Sequence, residues 1–288
     1  MPAKLALLTV AVIWGSSLVV VKGTVNDLPP CLLLALRFTI ACAVLCVAFR
    51  RRLKLLNREY FKSGAMIGLC LFLAYFSQTV GVMFAMPGKS AFLSSIYCVI
   101  VPFLFWAVNK HKPDIYHFVA AVICVIGIGF SSITADFTIG KGDFLALLSG
   151  FFFAAHIVSI AKFGKGKDPV LITILQFGYS GLFSWIAGLL FERASVTLTV
   201  QAVSGILYLS LMCTGVALLL QNIGQKYTDP SSASILLSLE SVFGVLFSVI
   251  FCSEVLTLRL TIGFLLIFAA VLISETKLSF LRKPIRAE

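Results

Sequence analysis

Runs of about twenty apolar residues recur along the 288-residue chain, and they constrain its fold more than any other feature. A helix needs about 20 largely apolar residues to cross a bilayer. Hydrophobic residues make up 60% of the chain and charged residues only 12%, whereas about a quarter of a soluble domain is charged. A water-soluble fold has no way to cover this much apolar surface. We therefore expect an all-α integral membrane protein.

The apolar runs predict about ten transmembrane helices, with short connections that make neighbouring helices antiparallel. The first run begins like a signal peptide, but it lacks a convincing small-residue cleavage site, so we assign it as the first span. The predicted spans are residues 3–21, 29–49, 63–84, 88–108, 116–133, 142–161, 169–191, 200–223, 230–251 and 258–274.

The positions of lysine and arginine predict the orientation. With the N-terminus in the cytoplasm, 17 of the 23 basic residues lie on the cytoplasmic side, five lie outside, and Arg37 lies within a span. Short cytoplasmic loops carry the basic excess in membrane proteins. We therefore expect a multi-pass protein of the cell membrane with both termini cytoplasmic. The net charge of +11 is then a consequence of topology and does not indicate a nucleic-acid partner.

The two halves of the chain resemble each other. Residues 76–99 align with residues 219–242 without a gap, and this register pairs Gln78 with Gln221 and Pro87 with Pro230. Each half holds an odd number of spans, about five, so the halves enter the membrane from opposite sides, as in the inverted repeats of secondary transporters. The predicted organisation is a first five-helix repeat (1–135), a second one (140–276) and a basic cytoplasmic tail (277–288).

Several short motifs, in this order, make the chain resemble the EamA family of the drug/metabolite transporter superfamily. They are WGSS (Trp14–Ser17), LRF (Leu36–Phe38), GKSAFLSSIY (Gly88–Tyr97), GDFLAL (Gly142–Leu147), LSLESVFG (Leu237–Gly244) and SEVLTLRLTIGFLLIFAAVLI (Ser253–Ile273). The resemblance implies a ten-helix carrier that exports or imports amino acids or other small metabolites. The chain departs from the family twice. It has Glu240-Ser241 where relatives often have Glu-Pro, and His111 where the first half often has the glutamate that matches Glu254.

Two charged residues lie deep inside predicted spans. A charge at the bilayer centre costs about 2.5–3.5 kcal/mol on insertion scales, so Arg37 and Glu240 should face the bundle interior or a water-filled cavity. Arg37 is either a structural anchor or a recognition group for carboxylate or phosphate, for which its planar fork is suited. Glu240 lies roughly opposite a serine face of its helix (Ser234, Ser238 and Ser241). Either the serines pack and Glu240 meets the cavity, or the serines face the cavity and Glu240 pairs with a neighbouring helix.

Other polar or amphipathic residues recur at related points of the two halves. The repeat pairs Tyr97 with Glu240. It also pairs Ser16 with His156, and Arg37 with approximately Gln176. Residues at related points are expected to line a shared central cavity, although each of them has an alternative role as a hydrogen-bonded or packed core residue. The candidate substrate-binding set is Trp14, Ser16, Arg37, Gln78, Tyr97, His156, Gln176, Gln221 and Glu240. Lys89, near a helix end, is expected to extend toward the membrane surface.

These features predict a secondary carrier that works by alternating access and binds a small-molecule substrate, with a proton as the candidate coupled ion. The chain contains no GxxxxGK[ST] motif for ATP, and its eight scattered cysteines contain no CxxC pair, so we expect no metal and no cofactor. We do not expect an enzyme, because no motif such as HExxH accompanies the three histidines. An intramembrane enzyme and a non-transporting assembly partner are the alternatives, and a homodimer is left open.

The matched prolines predict where the carrier opens. Pro87 and Pro230 start equivalent spans at opposite membrane faces, and small residues follow each of them. We expect the corner around Pro87 to form the outer gate and the corner around Pro230 to form the inner gate. The alternative is that both are ordinary tight helix–turn–helix corners.

Overall fold

Helices account for the architecture of this chain. A computed structural model describes residues 3–110, 112–132, 139–192 and 196–277, and these residues contain no β-strand. The helices are α1 (Ala3–Thr24), α2 (Pro30–Ala48), α3 (Arg58–Phe84), α4 (Pro87–Asn109), α5 (Ile115–Ser132), α6 (Lys141–Phe163), α7 (Pro169–Phe191), α8 (Val200–Lys226), α9 (Pro230–Cys252) and α10 (Leu258–Thr276). Among them, all but α5 and α10 are long and apolar enough to span a membrane. The predicted all-α membrane fold is confirmed, and the number of ten spans stays a prediction.

Capping residues explain where the helices begin. Proline occupies the first turn of α2, α4, α7 and α9, where its missing N–H needs no partner. Helix α3 begins at Arg58, five residues before the predicted span, because the Asn57 side chain accepts hydrogen bonds from the amides of Glu59 and Tyr60. Apolar periodicity marks the membrane-embedded part of a helix, whereas a polar cap extends the helix beyond it.

The two halves of the chain pack against each other throughout the bundle. Helix α3 packs on α6 and α7, and the equivalent helix α8 packs on α1 and α2. Helix α4 contacts α6, as α9 contacts α1, while α5 packs against α10. Each contact made by one half thus has a counterpart in the other, as expected for related repeats.

Glycines permit the closest helix–helix contacts. A Cβ atom added at Gly15 in α1 would lie 2.3 Å from the Cβ of Phe243 in α9. One added at Gly150 in α6 would lie 2.5 Å from a methyl carbon of Ile96 and 2.6 Å from the carbonyl oxygen of Ser94. Small residues at such interfaces let helix backbones approach closely, which is a main source of stability in membrane bundles.

We expect Gly150→Ala to destabilise the protein by about 1–3 kcal/mol, because the added methyl group overpacks the contact between α6 and α4. Gly178→Ala, also inside a helix, is the matched control, since the nearest described atom of another helix to its Cβ position is Cys42 Sγ at 3.8 Å, an ordinary van der Waals contact. The measurement is thermal unfolding of the two purified variants in the same detergent. Equal unfolding temperatures for Gly150→Ala and the wild type would show that the α4–α6 contact relaxes freely.

Candidate functional site

Helices α4 and α9 are interrupted at equivalent points near their middles. The first half of α4 ends at Ser94, and the second half begins at Tyr97. The first half of α9 ends at Ser238, and the second half begins at Glu240. At both interruptions the backbone makes tighter i to i+3 hydrogen bonds. Tight turns of this kind within a helix often mark functional sites.

The two residues that follow these interruptions contact each other. The Tyr97 hydroxyl donates a hydrogen bond to Glu240 Oε1 at 3.3 Å, and the two side chains are 2% and 7% exposed. The sequence repeat pairs the same two residues. A buried carboxylate needs hydrogen-bond partners to offset its lost hydration. Glu240 therefore lies at the interface of the halves with a tyrosine donor from the opposite half.

Arg37 is the other charged residue of this interior, at 1% exposure. Its guanidinium carbon lies 4.5 Å from the centre of the Tyr75 ring, and its Nε donates to the Thr214 hydroxyl. Its Nη2 has no hydrogen-bond partner among the described residues. Arg37 thus has one donor nitrogen available for a further acceptor.

Thr214 belongs to a π-helical segment of α8, Leu209–Val216. A π turn widens the helix locally, and such segments are frequent at functional sites. The same segment presents the Cys213 carbonyl oxygen, which accepts a hydrogen bond of 2.8 Å from Trp14 Nε1. The irregular turn of α8 therefore positions both Arg37 and Trp14.

A small cavity lies beside Glu240, Tyr75 and Trp14, whereas Arg37 and Tyr97 are not among the residues that line it. Its volume is about 10 Å³, which is room for about one water molecule. Both halves of the chain contribute to its wall, which is formed by Trp14, Ser17, Leu18, Tyr75, Gln78, Ala91, Phe153 and Glu240. We call this space the central cavity. In this conformation it is too small for any metabolite.

Two further candidates, Gln78 and Ser16, differ in their position relative to the central cavity. Gln78 lines it and donates to the Ser94 hydroxyl at 3.3 Å. Ser16 does not line it, because its hydroxyl points to the Tyr208 hydroxyl at 2.7 Å, and the adjacent Ser17 takes its place. Successive residues of a helix differ by about 100° in direction, since 3.6 residues make one turn.

The remaining candidates lie toward the predicted inner end of the bundle. His156 Nε2 and Gln176 Oε1 are 3.0 Å apart and buried, and Gln221 is 1% exposed. Gln176 Nε2 and Gln221 Oε1 have no hydrogen-bond partner among the described residues. One helical turn beyond these three residues lie Ile160, Ile172 and Gln225, which line a wider cavity of about 670 Å³. We call it the inner vestibule.

The predicted outer end is closed by charged contacts. Glu254 is buried and accepts hydrogen bonds from the amides of Gly88 (2.9 Å) and Lys89 (3.1 Å) at the start of α4, and another from the Ser248 hydroxyl. Lys89 Nζ pairs with Asp143 Oδ2 at 2.6 Å. Asp143 lies in the first turn of α6, at the same predicted end of the bundle, so the expectation that Lys89 extends toward the membrane surface stays a prediction.

Sequence reasoning missed Tyr75, Thr214, Ser17 and Asp143 as members of these contacts. Asp143 carried a signal, since it lies in the GDFLAL motif that opens the second half. Tyr75 and Thr214 carried none, because an aromatic residue or a threonine is ordinary in a transmembrane helix. His111 lies outside the described residues.

Comparisons with known proteins agree with this description. The EamA-like transporter family matches residues 1–133 and 140–276. An uncharacterized transporter of Archaeoglobus fulgidus is 34% identical over 235 residues, which cover 80% of this chain and 72% of that protein. The uncharacterized transporter YoaV of Bacillus subtilis is 25% identical over 225 residues, or 75% of this chain and 77% of that protein. A solved crystal structure shares the fold, with a TM-score of 0.73 at 18% identity over 96% of this chain and 98% of the other.

Proposed function

We propose that this chain, which belongs to the EamA-like transporter family, carries a small polar metabolite such as an amino acid across the cell membrane by alternating access. The family assignment drawn from the sequence motifs is confirmed, and with it the role of a membrane transporter. One observation carries the proposal further. The interrupted helices α4 and α9 bring Tyr97 and Glu240 from opposite halves into hydrogen-bond contact beside a central cavity.

In this proposal the charged residues divide the recognition of the substrate. Glu240 receives the ammonium group of an amino acid or exchanges a coupled proton. The Tyr97 hydroxyl orients the Glu240 carboxylate through its hydrogen bond. Arg37 offers its unpartnered Nη2 to a substrate carboxylate. Tyr75 links Arg37 to Glu240, because its ring contacts Arg37 and also lines the central cavity with Glu240. A molecule that carries both charges satisfies both groups.

The proposed transport cycle follows from the two ends of the bundle. Substrates bind after the central cavity enlarges, and the interruptions in α4 and α9 supply the hinge points. The contacts of Glu254 and Lys89 hold the predicted outer end closed, while the inner vestibule is open at the other end. The conformation is then the inward-facing member of an alternating pair. Two inverted five-helix repeats (1–135 and 140–276) account for such a pair.

Counterflow in liposomes tests the proposal. We expect vesicles with purified protein and an internal pool of unlabelled amino acids to accumulate at least one labelled amino acid above protein-free vesicles. A panel of the twenty amino acids, nucleosides and vitamins covers the small metabolites. Absence of accumulation for every compound, with protein that is shown to be folded in the vesicles, would contradict the proposed function.

We expect both termini and the α2–α3 connection to face the cytoplasm, because 17 basic residues lie on that side and five on the other. A single cysteine placed within residues 53–59 of a cysteine-free variant should resist an impermeant maleimide in intact cells. It should react after permeabilisation. A cysteine at Asn26, in the α1–α2 connection, is the matched control and should react in intact cells. The reverse pattern would overturn the topology.

A further inference from the structure

The inner vestibule has an unusual charge composition. Four lysines border it, Lys162, Lys165, Lys167 and Lys226, and no acidic side chain occurs among its described lining residues. None of these lysines forms an ion pair with a described residue. Asp168, which follows Lys167, lies outside this lining, pairs with Arg52 at 2.8 Å and accepts a hydrogen bond from the amide of Val170. The lining of the vestibule therefore carries a net positive charge, and the nearest acidic residues in the chain, Asp168 and Asp229, are not part of it.

Two buried amides complete the site at the inner end of α8. Asn222 is 2% exposed and Gln225 is 9% exposed, and both line the vestibule. The Asn222 amide nitrogen donates to the Thr173 hydroxyl at 3.0 Å and to the Leu218 carbonyl oxygen at 2.9 Å. Asn222 Oδ1 and both Oε1 and Nε2 of Gln225 have no hydrogen-bond partner among the described residues, so Gln225 Nε2 is the one unpartnered donor of these two amides. A buried amide without a partner has lost its hydration without compensation, so such a group is expected to meet a ligand or water.

Lysine excess alone has a simpler explanation, since cytoplasmic loops are basic in most membrane proteins. Gln225 separates the two explanations. A buried amide donor at the wall of the cavity is not required by topology, and its Nε2 is available for an anionic oxygen. Lysine ammonium groups above it attract such a ligand as point charges. Both features fit an anionic group better than a cation.

We infer that the inner vestibule is a binding site for a small soluble anion that bears a carboxylate or phosphate group, held by the Gln225 amide and the surrounding lysines. The inference rests on the proposed function and deepens it, because it assigns a carboxylate or phosphate group to the metabolite that enters or leaves at this end. The site lies one helical turn from Gln221 and the His156–Gln176 pair. A ligand released from it is thus adjacent to the polar residues that lead to the central cavity.

Binding to purified full-length protein tests this inference without any measurement of transport. The protein is placed in phosphatidylcholine nanodiscs, and thermal unfolding is followed with inorganic phosphate, succinate or choline, with chloride added to equal ionic strength. A ligand that binds only the folded protein raises its stability in a saturable way. We expect phosphate or succinate, but not choline, to do so.

The variants distinguish anion binding at the vestibule from nonspecific attraction of anions by the positive charge of the whole protein. Gln225→Leu, and separately the double change Lys165→Gln with Lys167→Gln, should each weaken anion binding about tenfold, as expected for the loss of a hydrogen bond to a charged group. The double change Lys54→Gln with Lys62→Gln removes the same charge from exposed positions outside the vestibule and should leave binding unchanged. The lysine variants lie at the surface, so they keep the test valid if Gln225→Leu fails to fold.

Three results would overturn the inference. They are no saturable stabilisation by either anion, equal weakening in the Lys54 and Lys62 control, and stabilisation only by phosphatidylglycerol nanodiscs, which would assign the site to a lipid headgroup. If anions bind but vesicles show no flux, the proposed function fails and the binding site stands. If flux occurs without anion binding, the anion site is wrong and the proposed function stands.

Discussion

Glu240→Gln should reduce substrate counterflow by about ten- to a hundredfold, which corresponds to the loss of an interaction of roughly 1.5–3 kcal/mol with a charged group. The substitution keeps the shape of the side chain and an Oε1 atom that still accepts the Tyr97 hydrogen bond. It removes the negative charge that receives an ammonium group and the site at which a proton is exchanged. The folded state should therefore survive while transport is lost.

The matched control is Tyr97→Phe, which removes the hydrogen bond and keeps the ring contact with Phe153. We expect a smaller loss of counterflow, because the carboxylate remains. Thermal unfolding of both variants shows whether the bundle is intact. Wild-type counterflow by Glu240→Gln, measured with and without a pH gradient, would identify Glu240 as a structural residue and leave the central cavity without a coupling group.

The repeat made the correspondence between Tyr97 and Glu240 predictable. Matching Gln78 with Gln221 and Pro87 with Pro230 fixes a register in which these two residues occupy equivalent positions. Equivalent residues of two inverted halves meet only when both lie close to the axis that relates the halves, so the contact itself had to come from the packed structure. The interruptions of α4 and α9 were not predictable. Their apolar runs continue without glycine or proline at the interruption, and hydrophobic periodicity does not record one tight turn.

The orientation of individual helices also escaped prediction. In a soluble protein a polar face marks the side of a helix that meets water, but here both the lipid side and the packed side are apolar. The choice between Ser16 and Ser17 therefore had no basis in hydropathy. The pairing of Lys89 with Asp143, 54 positions apart, likewise depends on which helix ends meet. Such contacts require the packed structure.

The two proline corners, which the sequence treats as equivalent, differ in their contacts. At the Pro87 corner the first amides of α4 are held by Glu254, a residue beyond the far end of α9. At the Pro230 corner the cap is local, because Asp229 accepts the hydrogen bond from the amide of Ser232. An interhelical carboxylate ties the predicted outer end together, whereas a local cap leaves the predicted inner end free to separate. We therefore propose that the outer corner is the gate that must break for the protein to face outward.

A disulfide across this corner should stop transport completely. In a cysteine-free background, the pair Gly88→Cys and Ser248→Cys joins α4 to α9, because the Cβ position at Gly88 lies 3.1 Å from the Ser248 Cβ. Disulfides have Cβ–Cβ distances of about 3.5–4.5 Å, so the two Cβ atoms must move slightly apart. The Glu254 carboxylate must also shift, because its Oε2 lies 2.5 Å from the Cβ position at Gly88. Oxidation should lower counterflow to the level of protein-free vesicles, since the outer end is then covalently closed, and reduction should restore it.

Each single cysteine variant, treated with the same oxidant, controls for the loss of glycine or serine and for oxidation itself. The crosslinked protein should still bind substrate from the inner side, which thermal stabilisation by the transported compound measures. Retained binding with lost counterflow is the result that distinguishes a closed gate from a damaged fold. After complete crosslinking, counterflow as fast as that of the protein with the disulfide reduced would show that the Pro87 corner does not open. The outer path would then open between other helices.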